Sequence, residues 1–288
     1  SALAQCSAFE GGFDWEAVEG VIDLSEWPDA DWSVDVVAGL IDRSLIRVEE
    51  EVSGGTRLSL LMSVAAYAEA RLEGFGETRK CAVHLRHADH YVQWSSRYPS
   101  EKGFTKAMTR RAFLSVLENL MVGLNRSIQN RWASQGFALL SIVGRYLEWR
   151  GAYYLALDYL ERSMVLDFTP NQRAKVVHMK GYLLLSLGRM DEALTSLQAA
   201  LTISESIDAP LQRIRNLNAI AIVYENTGQV QDAFTVYETI LADPYLVEHP
   251  EWEGMTRDNL GRLCVAAKHL DRALEELTKA HDTLCLLY

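Results

Sequence analysis

The sequence contains no apolar run near the ~18–20 residues that a membrane-spanning helix needs. Tyr182-Leu183-Leu184-Leu185 is soon interrupted by Ser186 and Gly188. The amino end lacks a basic stretch followed by an apolar one, so no secretory leader is readable. Cys6, Cys81, Cys264 and Cys285 lie far apart and form no CxxC pair. They read as free thiols in a reducing, cytoplasmic compartment, which excludes a disulfide framework. No Gly-x-x-x-x-Gly-Lys-Ser/Thr loop is present, and cradling phosphate needs those backbone amides and that lysine together. No nucleophile–base pair has a recognisable spacing. Carboxylate pairs such as Asp191-Glu192 and Glu275-Glu276 fall at helix starts or on helix faces. The chain is therefore expected to be neither an enzyme nor the holder of a cofactor.

What is present is a soluble composition, 49% hydrophobic and 23% charged over 288 residues, with room for two domains. The net charge of −11 is unevenly spread: −10 in residues 1–80, +6 in 81–150 and −7 in 151–288. The basic middle is suited to an acidic surface, most economically its own neighbours. The chain reads as part of something longer, because it starts without Met and stops on the apolar run Leu284-Cys285-Leu286-Leu287-Tyr288. That run is a candidate for self-association, since solenoids need polar caps.

One phased pattern recurs. Gly181 leads to Gly188 and Ala193, Ala221 leads to Gly228 and Ala233, and Gly261 leads to Lys268 and Ala273, each forty residues after the last. A fourth copy runs from Gly144 through Gly151 to Ala156. Such a period means stacked helix–turn–helix units that bury their apolar faces against one another. The small residue marks the helix crossing, and the glycine seven positions on ends the first helix in a left-handed conformation. Leu160, Leu197, Tyr237 and Leu277 fill the adjoining groove. These residues resemble tetratricopeptide repeats with a lengthened period, although prolines at the unit ends are sparse (Pro210 and Pro250).

The amino region changes period. Trp15, Val18, Val21 and Ile22 share a helix face, and Asp31 is the expected N-cap of a second helix bearing Val34, Val37, Leu40 and Ile41. Leu45–Glu49 and Thr56–Leu61 read as a hairpin around Ser53-Gly54-Gly55. A helix with Val64, Tyr67, Ala68 and Leu72 on one side follows. Two linker helices are expected over 78–96 and 104–132, broken at Tyr98-Pro99-Ser100 and Gly103. In the second of them, Phe113, Leu114, Val116, Leu117, Leu120, Met121 and Leu124 suggest packing on both sides. The segments Leu3–Phe13, Leu45-Ile46 and Leu60–Ala68 resemble the winged-helix segment of bacterial STAND-type signalling ATPases and transcriptional regulators. Leu117-Glu118-Asn119-Leu120 is similar to a linker motif of that group. The resemblance implies a regulatory ATPase whose repeats sense a ligand or protein. Its nucleotide-binding core is absent here.

The expected fold is thus mainly α: a small winged-helix-like α+β domain (1–75), a helical linker (76–136) and an α-α superhelix of tetratricopeptide-like repeats (137–288). The repeat units start near 137, 174, 214 and 254. The inward side of the first helices is expected to hold a protein or peptide partner. That side carries Arg145, Lys175, His178, Tyr182, Arg215, Asn218, Glu225, Asn226, Asp258 and Arg262, with Glu148, Ile222 and Met255 among them. The upstream ATPase module is a second expected partner, in cis. DNA readout by the winged helix is the alternative, but Asp31, Asp35 and Asp42 face one Arg43, and Glu49–Glu51 would repel phosphates. Cys81, His84, His87 and His90 recur every three residues. At 100° per residue the first and last lie on opposite helix faces, so no metal site is expected.

Overall fold

The computed structural model describes residues 2–50, 55–97 and 107–285, with side chains of the last stretch from Arg111 onward. The expected breaks at Ser53-Gly54 and at Tyr98–Gly103 lie outside the described residues. The chain is mainly helical, with a two-stranded sheet, and divides into two compact units. Residues 1–152 with 161–167 make the first, and residues 153–160 with 168–288 make the second.

The first unit opens with α1 (Ala2–Cys6), α2 (Trp15–Val21) and α3 (Ser33–Asp42). Asp14 caps α2 by accepting a hydrogen bond from the Ala17 amide at 2.8 Å. The expected Asp31 cap does not form. Helix α3 begins at Ser33, so Trp32 occupies the cap position and makes no side-chain bond there. Strands β1 (Ile46–Glu50) and β2 (Thr56–Leu60) pair antiparallel with Ile46 opposite Leu60, and Phe13 bridges Leu58 on the other edge. Helix α4 (Met62–Glu73) buries Ala68 and Leu72, whereas Tyr67, expected on the same face, is exposed.

Helices α5 (Glu77–Ser96), α6 (Ala107–Gln129) and α7 (Ala133–Trp149) complete that unit. Helix α6 stops three residues before the expected Trp132, because Arg131 turns left-handed at φ 58°. Phe113, Val116, Leu120 and Leu124 are buried, but Leu114 is exposed, so the helix packs less completely than its sequence suggests. Buried Asn119 fastens α6 to the amino segment. Its Oδ1 accepts from the Glu10 amide at 2.9 Å and sits 3.0 Å from His87 Nε2. Its Nδ2 donates to the Gly12 carbonyl at 2.8 Å. With both amide bonds fixed, His87 must donate from Nε2, and its buried Nδ1 has no partner. Nearby, Arg126 donates to the Ala8 carbonyl at 2.7 Å.

After α8 (Tyr153–Ser163), the second unit is three helix pairs: α9 (Pro170–Ser186) with α10 (Met190–Ser206), α11 (Pro210–Asn226) with α12 (Val230–Leu241), and α13 (Pro250–Ala266) with α14 (Leu270–Cys285). Each first helix opens on proline at its first turn, where the fixed φ helps and the missing N–H costs nothing. Pro170 thus completes the forty-residue series that Pro210 and Pro250 only suggested. Thr169 and Gln172 add a reciprocal capping box to α9.

In the first and third pairs the crossings are glycine notches filled by leucine. A Cβ on Gly181 would lie 2.6 Å from Leu197 Cγ, and one on Gly261 would lie 2.6 Å from Leu277 Cγ. Gly188 and Gly228 end their first helices left-handed at φ 75° and 76°, as Gly151 does at 73° in the first unit. Lys268 takes the same conformation at φ 63°, although its side chain disfavours it. Leu284, within the apolar run at the carboxyl end, lies against Gly254 of its own unit; residues 286–288 lie outside the described set.

Candidate partner-binding face

The expected partner-binding residues divide by burial. Lys175 and Tyr182 on α9, Asn226 at the end of α11 and Arg262 on α13 are exposed, as is Met255. His178, Arg215, Glu225 and Asp258 are half-buried, and Asn218 is buried. Arg145 lies in the first unit on α7, where its Nε donates to the Ser141 carbonyl at 3.4 Å. Burial raises the pKa of Glu148 beside it, against the pull of Arg145.

The structure brings His178 and Asn218 into polar contacts between neighbouring repeats. His178 Nδ1 lies 2.7 Å from Asn216 Oδ1. Burial pushes the His178 pKa down to about 4, so the ring is neutral at pH 7 and donates this bond. Asn216 Nδ2 in turn donates to Ser204 Oγ at 3.2 Å, and Gln212 adds a longer bond to Asn216 Oδ1 at 3.4 Å. One repeat later, Asn259 Nδ2 donates to Asn218 Oδ1 at 3.0 Å. Arg262 donates to Asn259 Oδ1 and lies 3.5 Å from Asp258. These bonds tie α9 to α11 and α11 to α13.

Two side chains turn elsewhere. The Glu225 carboxylate accepts from the Tyr237 hydroxyl, inside the α11–α12 pair. Burial first, and that carboxylate second, push the Tyr237 pKa up. The Arg215 guanidinium lies 5.1 Å from the Trp252 ring centroid, in cation–π range. Sequence reasoning missed Asn216, Gln212, Asn259 and Trp252. A polar residue one position off the predicted stripe gives no periodic signal, but an amide at a position that must be buried does ask for a partner.

What remains presentable is a cation at Lys175, the Tyr182 ring stacked near His178 (centroids 6.5 Å apart), the Met255 thioether and the Arg262 pair. Asp35 and Asp42 on α3 and Glu49 and Glu50 on β1 are exposed, as are the basic Arg43 and Arg47. On α5 the side chains of the three-residue series diverge. His87 is sealed against Asn119, His90 stacks edge-on to Tyr91 with centroids 4.9 Å apart, and Cys81 lies 3.9 Å from Asn130 Oδ1. Among the described residues no three His, Cys, Asp or Glu side chains converge on one point. Also among them, no helix is long and apolar enough to cross a membrane.

Residues 174–207, which cover most of α9 and all of α10, match the tetratricopeptide repeat family. A 135-residue stretch is 30% identical to HTH-type transcriptional regulators of Mycobacterium tuberculosis (strain ATCC 25618 / H37Rv) and Mycobacterium bovis (strain ATCC BAA-935 / AF2122/97). The stretch is 46% of this chain and 14% of each relative, so the chain spans a small part of the proteins it matches. Aspartyl phosphate phosphatase F from Bacillus subtilis superposes with a TM-score of 0.52 at 12% identity, over 87% of this chain and 61% of that one. The apo form of RapI gives 0.51 at 12% identity, over 77% and 59%. At such identities the likeness concerns the fold.

Proposed function

We propose that this chain is a non-catalytic regulatory module. Its repeat unit captures a protein or peptide partner, and a winged-helix-like amino region receives the signal through the linker helices. The observation that carries the binding role is the tetratricopeptide match at 174–207, with its glycine notch recurring at Gly261 and its left-handed exit at Gly228 and Lys268. Arrays of this kind act by presenting side chains from successive first helices. Here those are Lys175, Tyr182, Met255 and Arg262, with the half-buried Arg215 held over Trp252 between α11 and α13.

The winged-helix reading is supported by the element order helix, bridging strand, two helices, hairpin and helix, in which Phe13 supplies the third strand contact. The bacterial signalling-ATPase context is a reading of the same kind, resting on the sequence resemblance and supported by the HTH-type relatives. An ATPase module in cis and a cytoplasmic setting belong with it. The domain limits at 75 and 136 are part of the proposal.

The test is an immobilised peptide library probed with the full chain and with Lys175→Ala/Arg215→Ala. Bound peptides are expected to lose at least tenfold in affinity with the helical circular dichroism unchanged. Unaltered binding by the double variant overturns the repeat-face reading. DNA binding is a second reading, favoured by the HTH-type names of the relatives. A mobility shift that weakens steeply with salt and vanishes in Arg43→Glu supports it.

A further inference from the structure

The loop joining α2 to α3 in the first unit lifts two tryptophans toward solvent, Trp27 at 38% and Trp32 at 60% exposure. The loop is held firmly at its base. Gln5 donates to the Asp23 carbonyl at 2.6 Å and accepts from the Asp23 amide at 2.9 Å. Arg86 donates to the Val21 carbonyl at 2.9 Å and lies 3.6 Å from the Asp23 carboxylate, while Arg79 pairs with Glu26 at 2.9 Å. Within the loop, the Trp27 amide donates to Leu24 at 2.8 Å and the Ala30 amide to Trp27 at 2.9 Å. A pair of clefts flanks it. One, of about 440 Å³, is walled by Ala2, Leu24, Trp27, Pro28, Ala30 and Val36. The other, of about 540 Å³, reaches Trp32 past Glu19 and Asp31.

The loop's own charge has one sign, although Arg86 also lines the second cleft. Residues 19–35 carry Glu19, Asp23, Glu26, Asp29, Asp31 and Asp35 and no lysine or arginine. Arg79 and Arg86 are spent on Glu26 and Asp23, which leaves Glu19, Asp29, Asp31 and Asp35 without an ion pair among the described residues. An apolar patch rimmed by unpaired charge marks an interaction surface, and exposed tryptophan is the side chain most enriched where binding energy concentrates.

We infer that this loop is a docking surface, separate from the repeat face, for a polypeptide segment that carries lysine or arginine beside one or two bulky apolar side chains. The apolar group enters the cleft walled by Trp27 and Val36. Its cationic neighbours meet Asp29, Asp31 and Asp35 and the open face of Trp32, where charge and ring quadrupole both favour them. Nucleic acid and acidic peptides are repelled by the same carboxylates, and a purely apolar ligand leaves them unused.

The experiment uses the full chain and fluorescein-labelled 12-residue peptides read by anisotropy. One peptide alternates lysine and leucine, a second replaces lysine by glutamate, and a third replaces leucine by serine. The first is expected to bind at least tenfold more tightly than either control. Asp29→Lys/Asp31→Lys/Asp35→Lys is expected to weaken it tenfold or more, and Trp32→Ala at least fivefold. Trp32 is the safer aromatic probe because it is the more exposed, and circular dichroism checks the fold of each variant. Equal binding of the serine peptide, or affinity within twofold of wild type in both variants, reduces the effect to diffuse attraction by a chain of charge −11 and overturns the inference. So does a duplex DNA that competes for the same residues. Neither result bears on Lys175 and Arg215, so this surface and the repeat face fail separately.

Discussion

The two units are held together by different means. In the first, a few irreplaceable polar side chains reach far along the sequence: Asn119 to Glu10 and Gly12, Arg126 to Ala8, and Gln5 to Asp23. In the second, the pairs are held by a repeated fit of small against large, Gly181 against Leu197 and Gly261 against Leu277. The first mode puts much of the stability in single residues. The second divides it among equivalent joints, so that the loss of one is felt mainly by its neighbours.

The sharpest way to break this contrast is Asn119→Ala. It leaves the Gly12 carbonyl and the His87 Nε2–H buried without partners, each costing about 1–3 kcal/mol, and removes the acceptor of the more exposed Glu10 amide. The first unit should lose about 3 kcal/mol or more, read as lost hydrogen-exchange protection over residues 2–22, with protection in α11–α14 intact. Protection that falls equally in both units would contradict the division.

Next comes Gly181→Val, which drives a branched side chain into Leu197. Overpacking of this kind costs roughly 1–3 kcal/mol. The expected exchange loss centres on α9 and α10 and leaves α13 and α14 close to wild type. A cooperative collapse of all three pairs would show that the joints are not independent.

Acid should then separate the two modes further. Burial first, and Arg126 second, push the His87 pKa down to about 3, against an ordinary value of 6.5. The unfolded chain takes up a proton below pH 6.5 and the folded one does not until about pH 3, so stability is fullest above that window and falls as pH drops through it. The slope from this residue is roughly 1.4 kcal/mol per pH unit. His87→Gln, which keeps a donor for Asn119 and cannot titrate, should flatten denaturant midpoints measured between pH 6.5 and 4. An unchanged slope would assign the acid sensitivity to other groups.

The smallest effect sharpens the comparison from the repeat side. Lys268 sits left-handed where Gly188 and Gly228 do so without strain. Lys268→Gly should therefore stabilise the α13–α14 pair by about 1 kcal/mol, seen as a higher denaturant midpoint for that segment. A destabilised variant would mean that the lysine side chain contributes more than its backbone costs.

The contrast also explains what could be read in the sequence. The repeat pairs were legible because a notch, a knob and a left-handed exit recur at fixed spacing, and each imposes a residue type: Gly181, Leu197 and Gly188. The hairpin and α2 were legible for the same local reasons, period and cap. The start of α3 was misplaced because Asp31 has the chemistry of a cap but stands one residue too early. Asn119 lay inside a motif that was noticed, yet its reach to residues 10 and 12 is a tertiary fact that no spacing encodes. The candidate face was legible as a stripe and less so as chemistry. Asn218 and Glu225 fall on the stripe but spend bonding capacity on Asn259 and Tyr237.

The glycine notch and its leucine lie on the two helices of one pair, so the α9–α10 and α13–α14 hairpins each carry their own lock. What differs from joint to joint is the polar stitching: His178 to Asn216 between one set of neighbours, Asn259 to Asn218 between the next. Such a chain can gain or lose whole modules without redesigning any hairpin. Shuffling their sequence is another matter, because an amide left facing a foreign neighbour finds no hydrogen-bonding mate. The stitching acts as an address that keeps the modules in order.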